Sequence, residues 1–300
     1  MIIAADGGMN PRRSLATLAL VAAATFVLAL QVAPALVGVR VRGEIGRHNA
    51  PATHPDPAIS FRGDYESGDR SQWLWCFSQG AATCRVTTRP VRQGSYAGVF
   101  TTSPARARGP TERAENLAYP GDTLGSDSYY AWSMLFPRGF VTPSWVTVGQ
   151  FFQRYYELTG CIQEHFYLGH SGGPPRPADA LFLAICAGDM SARGNIRSQV
   201  FKIQQGLHLG RWNDYVLHVT WRPRANGLFV VWHRVEGGKW RRALLYRGPT
   251  MLYKPGARDS IGVSEGFYRP RSARRTTIYQ DGFVRGESFA AVARAAFGDG

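Results

Sequence analysis

At 300 residues, 44% hydrophobic and 12% aromatic, the chain carries enough apolar side chain for one large or two modest domains. A formal net charge of +14 and a pI of about 10.1 point to a polyanionic partner, which nucleic acid, acidic polysaccharide and anionic membrane all satisfy. The basic clusters "ARARGPTER" and "RPRSARR" lie in expected loops with no helix-turn-helix, RRM or zinc-finger signal, which excludes a nucleic-acid-binding module.

The first segment, 1–35, has the order of a secretory signal. Arg12 and Arg13 form a positive start, Leu15 to Leu30 is uncharged and apolar, and Ala33-Pro34-Ala35 is an A-x-A cleavage pattern. A retained membrane anchor is the rival reading, because Leu15 to Val39 nearly spans a bilayer. Either way the remainder is expected outside the cytoplasm, secreted or held at the cell surface, with no other membrane contact. Residues 36–58, Pro/Ala-rich and aperiodic, are expected to be a linker.

From Ile59 short alternating or apolar runs recur between Gly, Pro, Asn and Asp: "SYAGVFTT", "SYYAWSMLF", "WVTVGQFF", "ALFLAICA", "SQVFKIQQ", "YVLHVTW", "GLFVVWHRV" and "TTIYQDGFV". These are strand signals with turn punctuation. In "WVTVGQFFQRYYE" the period of two puts Gln150, Phe152 and Arg154 on one face and Phe151, Gln153 and Tyr155 on the other. Further on, Tyr215, Leu217, Val219 and Trp221 alternate with Val216, His218 and Thr220, and Asn226-Gly227 signals a hairpin. Trp212, Trp221 and Trp232 are expected in the core, and Trp145, Tyr155 and Tyr156 offer ring faces for stacking. The spacing predicts one all-β sandwich or jelly roll over residues 59–290. "ESFAAVARAAF" has a helical period, and 291–300 is expected to be a tail.

Four cysteines, Cys76, Cys84, Cys161 and Cys186, fit an oxidising compartment and allow three pairings. Cys76 with Cys84 would close a short hairpin-like loop, and Cys161 with Cys186 would pin the segment after "VGQFFQ" to the next strand. No C-x-x-C or paired histidine spacing supports a zinc site. No contiguous loop supplies the oxygen ligands of a calcium site, so no cofactor is expected and calcium stays open.

The ordered series "FRGDYESGDRSQW", "VRQGSYAGVFT", "RAE", "YYAWSMLFPRGF", "VGQFFQ", "LGRWNDYVLHVTW", "GFYRP" and "TTIYQDGFV" resembles the polysaccharide lyase family that includes heparin lyases and glucuronan lyases. The resemblance covers residues 59 to 288. It implies a concanavalin- or lectin-like jelly roll that cleaves an acidic, uronate-containing polysaccharide by β-elimination, acting as a monomer. A cationic or amide group neutralises the uronate carboxylate, a base removes the C5 proton and an acid protonates the leaving oxygen.

Carried over by position, the family's Gln-x-His falls on Gln150-Phe151-Phe152, so the glutamine matches and phenylalanine replaces the histidine. Its Lys-x-x-x-Tyr-Arg falls on "SEGFYR": Tyr268 and Arg269 match, and Ser264 replaces the lysine. Arg113 and Glu115 match its R-x-E. A second Gln-x-His, Gln163 and His165, offers a replacement imidazole, as does His170, and Lys254 offers a replacement ammonium. The resemblance therefore implies Gln150, His165 and Tyr268 as catalytic, and Arg113, Glu115, Gln153, Lys254 and Arg269 as substrate-binding. A lectin-like protein that has lost the chemistry fits the same departures. A glycoside hydrolase needs paired carboxylates, and no E-x-D-x-x-E run is present.

Overall fold

The alternation in the sequence is borne out in three dimensions. The computed structural model describes residues 56–102, 109–142, 144–153, 164–169, 180–191, 195–256 and 260–299, with the backbone of 176–177. The expected signal or anchor, most of the linker, Cys161, Gln163, His170, Arg154, Tyr155 and Tyr156 lie outside them.

Two antiparallel sheets stack face to face. Sheet A comprises β1 (Ile59–Gly63), β3 (Thr83–Thr87), β4 (Ala97–Thr101), β6 (Asp127–Leu135), β13 (Trp212–Thr220), β14 (Leu228–Val235), β15 (Arg241–Arg247) and β18 (Thr277–Gly286). Its order is β15-β14-β13-β6-β18-β4-β3, with β1 also paired to β18. Sheet B comprises β2 (Trp75–Gln79), β5 (Thr111–Asp122), β8 (Trp145–Phe152), β9 (His165–Gly169), β11 (Ala180–Asp189), β12 (Arg197–Gln205), β16 (Leu252–Tyr253) and β17 (Ile261–Pro270). Its order is β12-β11-β9-β8-β17-β5-β2, with β16 running parallel to β11. The short strands β7 (Val141–Thr142) and β10 (Arg176–Pro177) pair apart from both. This is the jelly-roll sandwich expected from the turn spacing.

The core between the sheets takes alternate residues from each. Val146, Val148 and Phe151 of β8, Phe166 and Leu168 of β9, and Leu181, Leu183 and Ile185 of β11 meet Tyr130, Trp132, Tyr215, Leu217 and Phe283 of sheet A. Trp221 is fully buried, and its indole N–H donates to the Tyr130 hydroxyl at 2.9 Å, so an otherwise costly polar atom is satisfied. Asn226-Gly227 does end the loop between β13 and β14, but Gly227 serves close approach. A Cβ there would sit 2.3 Å from the Gly248 carbonyl oxygen, and its φ is not positive.

The outer face of sheet A is covered. Of the two readings of the C-terminal piece, helix or tail, the helix holds over most of 291–300: α1 (Phe289–Phe297) is capped by Ser288 and closed by Gly298 in the left-handed region at φ 71°. Its Val292, Ala293, Ala296 and Phe297 pack on Ala131, Val216 and Val284, with Trp232 and Trp240 flanking Phe289. Trp232 is thus under the helix rather than between the sheets. Beneath the helix end, the buried Asp214 carboxylate takes bonds from Arg92 Nε and Nη2 at 2.9 and 2.8 Å and from Arg234 Nε at 2.9 Å. Arg234 also pairs with Asp299, and both arginines lie over the Phe297 ring at 5.4 to 5.5 Å.

The disulfide Cys76–Cys84 spans 6.2 Å between Cα atoms and differs from the hairpin expectation in one respect. Its cysteines belong to β2 of sheet B and β3 of sheet A, so it ties the two sheets at one edge rather than two neighbours in one sheet. Cys186 is also disulfide-bonded, and its expected partner Cys161 lies outside the described residues.

Phe297→Ala should remove the anchor of α1 and cost about 3 kcal/mol, read as a shift in the denaturant midpoint. A second prediction concerns His233, which burial pulls down to about 4 and whose Nε2 has no hydrogen-bond partner. The unfolded imidazole takes up its proton near pH 6.5, before the folded one does. Stability should therefore fall as pH drops from about 6.5 to about 4, by up to about 3 kcal/mol, and His233→Gln should flatten that part of the stability–pH curve.

Candidate active site

The outer face of sheet B has no helix over it among the described residues, and two rows of side chains cross it. Register partners give the first row as Val200, Ala184, His165, Gln150, Ser264, Leu117 and Trp75, from β12 to β2. The second runs Lys202, Phe182, Tyr167, Thr147, Tyr268, Arg113 and Gln79 over the same strands. Irregularities between Thr147 and Gly149 and between Glu265 and Tyr268 spread the rows apart over β8, β17 and β5. Glu115 fills the gap, opposite Gly266 and Phe77.

Glu115 is the hub of this face. It is fully buried, and a carboxylate there is tolerated only if its charge is met by donors. Gln150 Nε2 donates to Oε1 at 2.9 Å and Ser264 Oγ to the same oxygen at 3.0 Å. Arg113 Nε donates to Oε2. Donors from β5, β8 and β17 thus converge on one group. The Arg113 side chain stays 25% exposed, with its guanidinium carbon 4.5 Å from the Phe77 ring centroid and 5.3 Å from that of Tyr268. The guanidinium is thus packed between two aromatic rings while its Nε is bonded to Glu115. Tyr268 also meets Trp145 edge-on at 5.0 Å.

His165 is the direct cross-strand partner of Gln150. Cross-strand partners have Cβ atoms about 5 Å apart, so amide and imidazole stand side by side although they come from different strands. Phe152, where the family pattern has histidine, does share the Gln150 face. Its ring covers Gly262, where a Cβ would sit 2.4 Å from it, and meets Tyr119 edge-on at 5.6 Å. Tyr167 was missed by motif matching, yet the alternation in "HFYLG" puts it on the His165 face. Its ring lies 5.2 Å from His165 and stacks on Phe182 at 5.5 Å, and burial raises its hydroxyl pKa.

Three expected substrate-binding residues are placed elsewhere. Gln153 is buried with its amide clamped to the Leu252 backbone, Nε2 to O at 2.9 Å and Oε1 from N at 2.8 Å, so it fixes β16 instead of a ligand. Arg269 alternates to the core side and is fully buried. It pairs with Glu112 at 2.6 Å and donates to Thr102, Thr276 and the Arg274 carbonyl, which leaves no guanidinium nitrogen for substrate. Lys254 follows β16 in an exposed turn, beyond the end of β11 and off both rows. Lys202 is the lysine that lies on the face. Asp281, on β18 of sheet A, accepts from the Arg92 and Gln93 amides, and burial raises its pKa to about 8. His218 is half-buried on the outer face of sheet A, stacked on Tyr129 at 4.2 Å and paired with Asp127. Among the described residues no group of three or more His, Cys, Asp or Glu could hold a metal ion.

Solved structures with this architecture include the endo-β-1,4-glucuronan lyase of the fungus Trichoderma reesei. It is 13% identical with a TM-score of 0.59, covering 73% of this chain and 93% of that one. A β-glucanase catalytic domain from Podospora anserina is 14% identical with a TM-score of 0.50, covering 77% and 96%. At these identities the likeness is one of fold. A search of curated proteins found no match. The family model described as polysaccharide lyase matches residues 65–284, most of the chain and all of the strands that carry this cluster. The chain belongs to the polysaccharide lyase family and is by class a carbon–oxygen lyase.

Proposed function

We propose that the enzyme cleaves an acidic, uronate-containing polysaccharide by β-elimination, with Arg113, Gln150, His165 and Tyr268 as its working groups. One observation carries this reading: guanidinium, amide, imidazole and phenol, from four strands, lie on one open sheet face around the buried Glu115. Arg113 and Gln150 hold the uronate carboxylate and stabilise the negative charge that develops on it as the C5 proton leaves. His165 takes that proton. The C5–H electrons form the C4=C5 double bond, the C4–O bond breaks, and Tyr268 gives its phenolic proton to the departing oxygen. Lys202, three strand spacings from β8 on the same face, offers a charge to a uronate farther along the chain.

A hydrolytic reading is less well supported. It needs two carboxylates flanking one bond, and among the described strand residues of this face Glu115 is the sole acid, already neutralised by Arg113. Action outside the cytoplasm is supported by the Cys76–Cys84 disulfide and by the signal-like apolar run.

The test is to incubate the protein with glucuronan, heparin, heparan sulfate, hyaluronan and alginate and follow the ultraviolet absorbance of a new C4=C5 bond. Absorbance rising with one polymer supports elimination. Retention on an immobilised polymer without absorbance would replace it with a lectin-like role. Tyr268→Phe, which keeps the ring against Trp145 and Arg113, should lower kcat on the active polymer by about 10²–10⁴-fold. Glu115→Gln should lower kcat about 10²-fold by loosening Arg113 and Gln150. It should also lower stability by about 2 kcal/mol, less than for a fully buried pair because Arg113 is 25% exposed.

A further inference from the structure

At the free edge of sheet B, next to the cluster, the surface is apolar where solvent reaches it. Leu74, Trp75 and Phe77 are 53%, 47% and 40% exposed, which makes them half of the exposed large apolar side chains among the described residues. They follow one another on and just before β2, an edge strand. Exposed apolar groups on an edge invite unwanted association, and edges are normally blunted with charge. Their retention asks for a ligand.

Trp75 continues the row that contains His165, Gln150 and Ser264. It lies three strand spacings from Gln150, roughly 14 Å, too far for the sugar ring whose C5 proton is removed. Beyond it, between the edge strands β2 and β3, lies a shallow, open cleft of about 820 Å³ lined by Arg70, Leu74, Trp75, Arg85, Val86 and both cysteines of the Cys76–Cys84 disulfide. The disulfide holds the two lips of this cleft, one from each sheet, at a fixed separation. Its charge is favourable for an acid chain. Arg70 and Arg85 are both exposed and outnumber the one acid in the lining, Asp69, whose carboxylate accepts from the Ser67 hydroxyl and the Ser71 amide at 3.0 and 2.8 Å.

We propose that the β2 edge is a remote sugar-binding platform, where Trp75 stacks on a pyranose ring of the same uronate chain several units from the scissile bond and the cleft arginines hold its carboxylates. An indole face packs on the C–H face of a sugar ring while the ring's hydroxyls stay wet, and an arginine beside it meets the carboxylate through a planar fork. The platform rests on the lyase reading for its polymer, and it assigns a second recognition site that chemistry at Tyr268 does not require. Its consequence is a preference for long chains over short oligosaccharides.

The experiment compares wild type, Trp75→Ala and Trp75→Phe on the cleaved polymer and on a short oligosaccharide of it. Trp75 is exposed and touches none of the working groups, so folding and chemistry are expected to survive. KM for the polymer should rise about fivefold in Trp75→Ala with kcat unchanged, Trp75→Phe should recover most of it, and short-oligosaccharide rates should stay the same. Equal KM values on the polymer, or an equal loss on both substrates, would overturn the platform. If wild type cleaves none of the polymers, the lyase reading fails by itself. The platform is then judged by affinity electrophoresis in uronate polymer, where unchanged mobility shift in Trp75→Ala would overturn it and a weaker shift would uphold it.

Discussion

A two-sheet sandwich buries one face of each sheet and leaves each with a second face that must be covered or used. Here the two second faces are treated oppositely, and the rest of the molecule follows from that division. On sheet A the helix Phe289–Phe297 lies across Ala131, Val216 and Val284. Its C-terminal end is held by Phe297 against Arg92 and Arg234, whose charges meet at the buried Asp214. On sheet B the second face carries aromatic rings, the Gln150 amide and one charge pair, and it is the face to which the proposed chemistry is assigned.

Keeping such a face open has a cost, because polar groups at its floor are half removed from water. Glu115 shows how the cost is met. It sits at full burial in the middle strands, and the donors that neutralise it come from Arg113, Gln150 and Ser264. The same bonds that make a buried carboxylate tolerable fix the orientation of Arg113 and Gln150, the two groups proposed to face the uronate. Ser264 explains itself in this setting: a short hydroxyl completes the hub where a long ammonium would compete with Arg113 for the same carboxylate. Stability and positioning are one set of contacts.

The same division explains two arginines that a motif cannot tell apart. Arg113 and Arg269 both pair with a glutamate on β5, yet they lie on opposite faces of sheet B. Arg113 pairs with Glu115 and its side chain stays a quarter exposed. Arg269 pairs with Glu112 in the interior, where burial pulls its pKa down and every nitrogen is satisfied by protein. The pairing is similar; the side of the sheet decides which one can meet a ligand.

Much of this was legible in the sequence, because a period of two is a local property that each strand carries by itself. Alternation alone separates Phe151 in the core from Gln150 and Phe152 outside, places Arg113 beside Glu115, and with the turn spacing yields the sandwich. Register between strands is not local. It depends on bulges and on which strands become neighbours, so only the tertiary structure put His165 opposite Gln150, closed Glu115 with Ser264 and carried the Cys76–Cys84 bond between sheets. Burial is less local still. Gln153 and Arg269 have the residue types of a binding site, but the second sheet and β16 enclose them, and that enclosure exists only once the whole chain has folded.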